Sequence, residues 1–142
     1  MTIALECTTD ISQKLEAVAA IATKVFSIYS EDDLLDKSRM LKYPAVGVLY
    51  EGITASFEDP SRQGLATELR VALVLVIDGK SIGNLDKKNE AAQVLDTMRD
   101  ALKMKTSPSG HKWRFVSEIP VGLVENVLIY VQRWATFVPI TP

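Results

Sequence analysis

Apolar residues recur at Ile11, Leu15, Val18, Ala22, Val25, Phe26 and Tyr29, the spacing of one helix face, and Asp10 with Gln13 forms a capping-box arrangement ahead of them. The pattern predicts an amphipathic helix over roughly residues 11–30. The acidic run Glu31-Asp32-Asp33, followed by Leu34, Leu35 and Met40, predicts a short second helical turn. Pro44 ends it, because proline pushes the residue before it into extended backbone. Ala45 to Glu51 is apolar on both faces and reads as a strand that lies centrally or under a subunit contact, closed by Gly52. Residues 53–64 contain Asp59-Pro60-Ser61 and Gly64, a composition that predicts a long loop of the kind that often carries function.

Strict alternation returns at Thr67 to Asp78, with Leu69, Val71, Leu73, Leu75 and Ile77 on one face and Glu68, Arg70, Ala72, Val74 and Val76 on the other. Turn signals at Asp78-Gly79 and Gly83-Asn84 precede a second helical stripe, Leu85, Ala92, Leu95, Met98 and Leu102, which predicts a helix over 85–104. After Ser107-Pro108-Ser109-Gly110, the stretches Trp113–Ile119 and Asn126–Thr136 read as two strands of a hairpin joined through Pro120-Val121-Gly122. The expected fold is α+β in one domain over residues 1–142: a mainly antiparallel four-stranded sheet with two long helices packed on one face.

Composition narrows the function classes. With 142 residues and 47% hydrophobic content the chain can fill one core. Its 16 basic and 18 acidic residues are interspersed, so no single-sign field draws it as a whole to nucleic acid or anionic lipid. A lone cysteine, Cys7, excludes an internal disulfide and fits a reducing compartment. The beginning of the chain lacks a basic, apolar and small-residue leader pattern, so the expectation is a protein made and kept in the cytoplasm. The longest apolar run, Val71 to Ile77, is far shorter than the ~20 residues a membrane helix needs, so no membrane partner is expected.

Candidate chemistry is sparse. His111 is the only histidine, leaving one imidazole to serve any serine or cysteine nucleophile, and a solvated loop residue explains it as well. There is no histidine pair or cysteine pair, and Glu31-Asp32-Asp33 lacks the alternate spacing and turn glycine of a calcium loop. Gly79-Lys80-Ser81 copies the end of a phosphate-binding loop, but the glycine required five positions earlier is Val74, in mid-strand. The expectation is therefore no catalytic residue, no cofactor and no metal.

The last strand is of more interest. Tyr130, Gln132 and Trp134 share one face, with Val131, Arg133 and Ala135 on the other, and neither face is cleanly apolar. Two readings stand side by side: aromatic residues that complete the core with their polar tips satisfied, or anchors of a subunit interface. Tyr50, Glu51, Phe57, Arg62, Tyr130, Gln132, Arg133 and Trp134 form the candidate protein-interface set, Phe57 and Arg62 coming from the 53–64 loop.

Tyr43-Pro44-Ala45-Val46-Gly47-Val48-Leu49-Tyr50-Glu51-Gly52 after an N-terminal helix, a central helix, and a closing Tyr130-Val131-Gln132-Arg133-Trp134-Ala135-Thr136 strand together resemble the tail terminator, or tail completion, proteins of long-tailed bacteriophages, including the Mu-like group. The resemblance spans Ile11 to Thr136 and rests on element order and two strand motifs. It implies a structural virion protein at the tail–neck junction, assembled as a homohexameric ring. Such a ring sits on the last ring of tail tube protein, ends polymerisation, and offers the surface where the head and its neck connector protein dock. In contractile tails the sheath is a further partner. DNA passes through the lumen without being read. The alternatives are another neck protein, a head-closure or adaptor component, or an unrelated small α+β binding domain.

Overall fold

The computed structural model of the chain describes residues 2–18, 25–27, 44–55, 65–78, 85–124 and 127–140. Helix α1 runs Ile3–Glu16; strands β1, β2 and β3 are Val25–Ser27, Ala45–Ala55 and Leu65–Asp78. Helix α2, Leu85–Leu102, leads to β4, Arg114–Val124, and β5, Val127–Ile140. The five strands form one sheet in the order β1-β2-β3-β5-β4.

The α+β class stands, but the sheet corrects the four-stranded, mainly antiparallel expectation: among the described residues it has five strands and is mixed, because β1 pairs with β2 in parallel through Val25–Val46 to Ser27–Val48. The cause lies in the first helical stripe. Thr2 is the N-cap, its hydroxyl accepting from Leu5 N, and the helix is over at Ala17, whose N–H returns to Gln13 O at 3.0 Å. The buried stripe is Cys7, Ile11 and Leu15. Val25 and Phe26 happen to continue the helical spacing of Ile11 and Leu15, yet a β-branched residue beside an aromatic is better suited to a strand. The predicted turn at 31–43 lies outside the described residues, as does most of the 53–64 loop, whose first three residues extend β2.

Both helices pack on one face of the sheet. Leu69, Val71, Leu73, Leu75 and Ile77 of β3 meet Ile11 and Leu15 of α1 and Ala91, Leu95, Met98 and Leu102 of α2 in one core. On α2 the stripe runs through Ala91, while Ala92 is exposed. Each fully buried Leu or Ile contributes about 1.5–3 kcal/mol by leaving water, so this face dominates stability. The opposite face carries a smaller apolar cluster, Ala72, Val74, Val76, Ile129 and Val131, with Phe26 and Leu49 packed against it.

Candidate assembly surface

Antiparallel register decides which side chains meet. Across β3 and β5, Ala72 faces Arg133 and Arg70 faces Ala135; across β5 and β4, Ala135 faces Arg114. Paired residues share a face, so Arg70, Arg114 and Arg133 gather at one end of the helix-free face, beyond the apolar cluster. Arg133 Nε donates to Glu51 Oε1 at 3.0 Å and Oε2 at 3.2 Å. Glu51 and Arg133 stand on the strands that flank β3, and their ion pair crosses it where Ala72 presents only a methyl group. A bulge between Tyr50 and Gly52 makes this possible: Gly52, at φ +106°, takes a backbone that other residues resist and returns the strand to register with Arg70.

Glu68 is enclosed by two of these arginines. Its Oε2 accepts from Arg70 Nη2 at 3.2 Å, while Oε1, shut off from solvent, is ion-paired with Arg114 Nη2 without an aligned hydrogen bond. Arg114 also lies 5.5 Å over the ring of Phe137. The corner thus sets three arginines against two glutamates, so most of its positive charge is offset within the chain.

The helix-covered face holds a buried polar network around Gln132. Gln132 is fully buried; its Nε2 donates to Glu118 Oε1 at 2.8 Å and to Leu95 O at 3.3 Å, and its Oε1 accepts from Trp134 Nε1 at 2.7 Å. Glu118 is in turn ion-paired with Arg99 of α2. Every polar atom of the Gln132 amide therefore has a partner, and Trp134, 2% exposed, is a core residue whose indole N–H is satisfied.

Of the predicted interface residues, Gln132 and Trp134 lie inside the core and Tyr130 packs against it, whereas Tyr50 is exposed and Glu51 and Arg133 form the ion pair above. The core reading of the last-strand aromatics describes Gln132 and Trp134 within this chain. Phe57 and Arg62 lie outside the described residues. The structure brings together Glu51 and Arg133, distant in sequence, but leaves Tyr50 facing the helix side of the bulge.

Sequence reasoning missed two features. The first is the sheet edge: β4 is the terminal strand and exposes Phe115, Ile119 and Val121. Register shifts at Phe115/Ser117 and Pro120/Gly122, with a proline between, interrupt that edge as a template for strand addition, so it offers side chains more than backbone. The second is the connection from α2 to β4. Lys103, Met104, Lys105, His111 and Lys112 are all exposed on it, with Arg114 next to it at the start of β4. Its signal was in the sequence as an acid-free run, which counting charges over the whole chain concealed.

The candidate nucleophiles are structurally occupied. Ser107 Oγ bonds Thr136 Oγ1 at 2.7 Å and Ser109 Oγ at 2.8 Å; Ser109 Oγ donates to Phe137 O, and Thr136 Oγ1 to His111 O at 3.3 Å. The His111 ring stacks edge-on against Phe137 at 6.0 Å. Cys7 is buried in the core, and burial, with Asp10 and Glu6 nearby, raises its thiol to about 11, so it stays protonated and unreactive at neutral pH. Among the described residues no group of three or more His, Cys, Asp or Glu is placed to hold a metal, and no helix is long and apolar enough to cross a membrane.

No protein family matches the chain in sequence, and no curated protein does. Among solved structures it is similar to a chain of the "Virion of native gene transfer agent (GTA) particle", with a TM-score of 0.60, 13% identity, and 98% of each chain covered. At that identity the likeness establishes a common fold.

Proposed function

We propose that this chain is a structural virion protein that caps a phage-type tail tube as a ring, ends tube growth and provides the surface on which the head docks. The observation that carries the reading is the end-to-end fold likeness to a virion chain, 98% of both chains, for a sequence that independently resembles tail terminators. The ring contains about six copies by that resemblance, and its partners are the tube protein, the neck connector and, in a contractile tail, the sheath. Catalysis has no part in the reading: the only histidine stacks on Phe137 and the neighbouring hydroxyls are spent on one another. The paired arginine corner also suits a protein beside passing DNA, since guanidinium groups already engaged by Glu51 and Glu68 bind phosphate less tightly than free ones.

The test is deletion of the gene in the particle that encodes it. Filled heads should accumulate beside unjoined tails of abnormal length, because nothing else occupies the growing end. Tails of normal length joined to heads would refute the assignment, whereas unjoined tails of normal length would move the protein one layer up, to another neck component.

A further inference from the structure

We propose that the connection from α2 to β4, Lys103 to Trp113, is a basic knob that docks on an acidic surface of a second copy of this chain, so that copies join head to tail. The inference rests on the ring reading above and supplies its contact. Four of the chain's 16 basic residues, Lys103, Lys105, Lys112 and Arg114, and none of its 18 acidic ones, fall between positions 101 and 117. The remainder is acid-rich, with 12 basic residues against 18 acidic, so another copy supplies the complementary charge.

The knob is held stiffly. Lys105 N–H returns to Leu102 O at 3.1 Å and Lys105 O accepts from Trp113 N at 2.8 Å; Thr106 bridges to Lys112, and Ser107 N donates to His111 O at 2.7 Å. Trp113, 3% exposed, pins the base by donating its indole N–H to Asp10 Oδ2 at 2.9 Å. Lys103, Lys105 and Lys112 enter no ion pair among the described residues. The backbone that carries the lysines is thus fixed before contact, and docking has only their side chains left to order.

Met104 identifies the partner as protein. It follows the helix in left-handed backbone, φ +62°, where glycine or asparagine is the usual choice, and its side chain is 65% exposed. Neither its own backbone nor the core accounts for a methionine there. A flexible apolar side chain between two lysines gains nothing from a phosphate backbone but fits an apolar pocket rimmed by carboxylates. Nor can the knob meet its own twin across a two-fold axis, since that would set like charges together. The ring reading takes the heterologous form of that contact, knob of one copy on the acidic surface of the next, which closes when the rotation permits.

The experiment compares the purified chain with K103E/K105E/K112E and with Met104→Gly by sedimentation velocity and negative-stain imaging, at about 0.05 M and about 0.5 M salt. Wild-type association should weaken at least tenfold at the higher salt and at least about a hundredfold in the triple variant, with an unchanged circular dichroism spectrum. Met104→Gly should raise the melting temperature, by relieving the left-handed strain, while weakening association about tenfold. Rings that survive the triple substitution would overturn the knob and leave the ring reading intact. A wild-type chain that stays monomeric at every salt would overturn self-docking. Triple-variant rings of normal strength with lost retention of duplex DNA would make the lysines a phosphate surface instead.

Discussion

The two faces of strand β3 differ in what finishes them. On one, Leu69, Val71, Leu73, Leu75 and Ile77 form an unbroken apolar row sealed by both helices, with the fully buried Gln132 set beside them. On the other, the row changes character along its length: Val76, Val74 and Ala72 are buried, and then come Arg70 and Glu68 in a charged corner. The difference shows that alternation reports only that two faces exist. What each face becomes depends on neighbouring strands, because register sets Ala135 and Arg114 beside Arg70, and Val131 beside Val74.

The sharpest way to break the comparison is to empty the sealed face. Leu73 is fully buried between Val48 and Gln132 in register. Leu73→Ala should cost about 2–5 kcal/mol of unfolding free energy in a urea titration, the lost transfer energy plus a cavity that flanking strands cannot close. A cost under ~1 kcal/mol would mean the helices are loosely seated and the faces are alike.

Gln132 probes the same face through its polar insertion. Gln132→Leu keeps the volume but leaves Trp134 Nε1 without its acceptor and removes a donor from Glu118, so about 2 kcal/mol should be lost. A neutral or stabilising result would show that water reaches the site and that the helix-covered face is not sealed.

Part of this was legible in the sequence, and the limits are physical. β3 alternates over enough residues to fix both its faces, and α2 carries a stripe with a clear stop. The start of α1 was not legible, because Cys7, Thr8 and Thr9 are poor helix formers and Asp10 looks like a cap. Asp10 instead pairs with Lys14 and accepts from Trp113, a partner 103 residues away that no local pattern discloses. The parallel β1–β2 pair was hidden for a related reason: three residues are too few to show a period, and their partner is chosen by the crossover. At the candidate surface, Glu51 and Arg133 entered the candidate set as separate residues of two strands, and only register brings them together. Tryptophan and glutamine in one strand gave no sign of whether they face a partner or a core.

The smallest effect is expected at the Arg133–Glu51 pair, and it separates the two faces most finely. The side chains are 33% and 24% exposed, so water and salt screen their attraction, and holding two long side chains in one geometry offsets much of what remains. Arg133→Ala should therefore change the unfolding free energy by less than about 1 kcal/mol, with the difference shrinking as salt is raised. A loss above ~2 kcal/mol that persists in high salt would mean the corner is desolvated in the single chain and resembles the sealed face after all. A small loss carries its own consequence. An ion pair that crosses β3 on an open face and adds little to stability keeps the bare guanidinium from presenting free charge, so removing Arg133 leaves Glu51 unneutralised there. If the ring sets this face beside another copy or beside DNA, Arg133→Ala should disturb assembly more than folding, and measuring both on one variant distinguishes a surface kept for its neighbours from one kept for the chain itself.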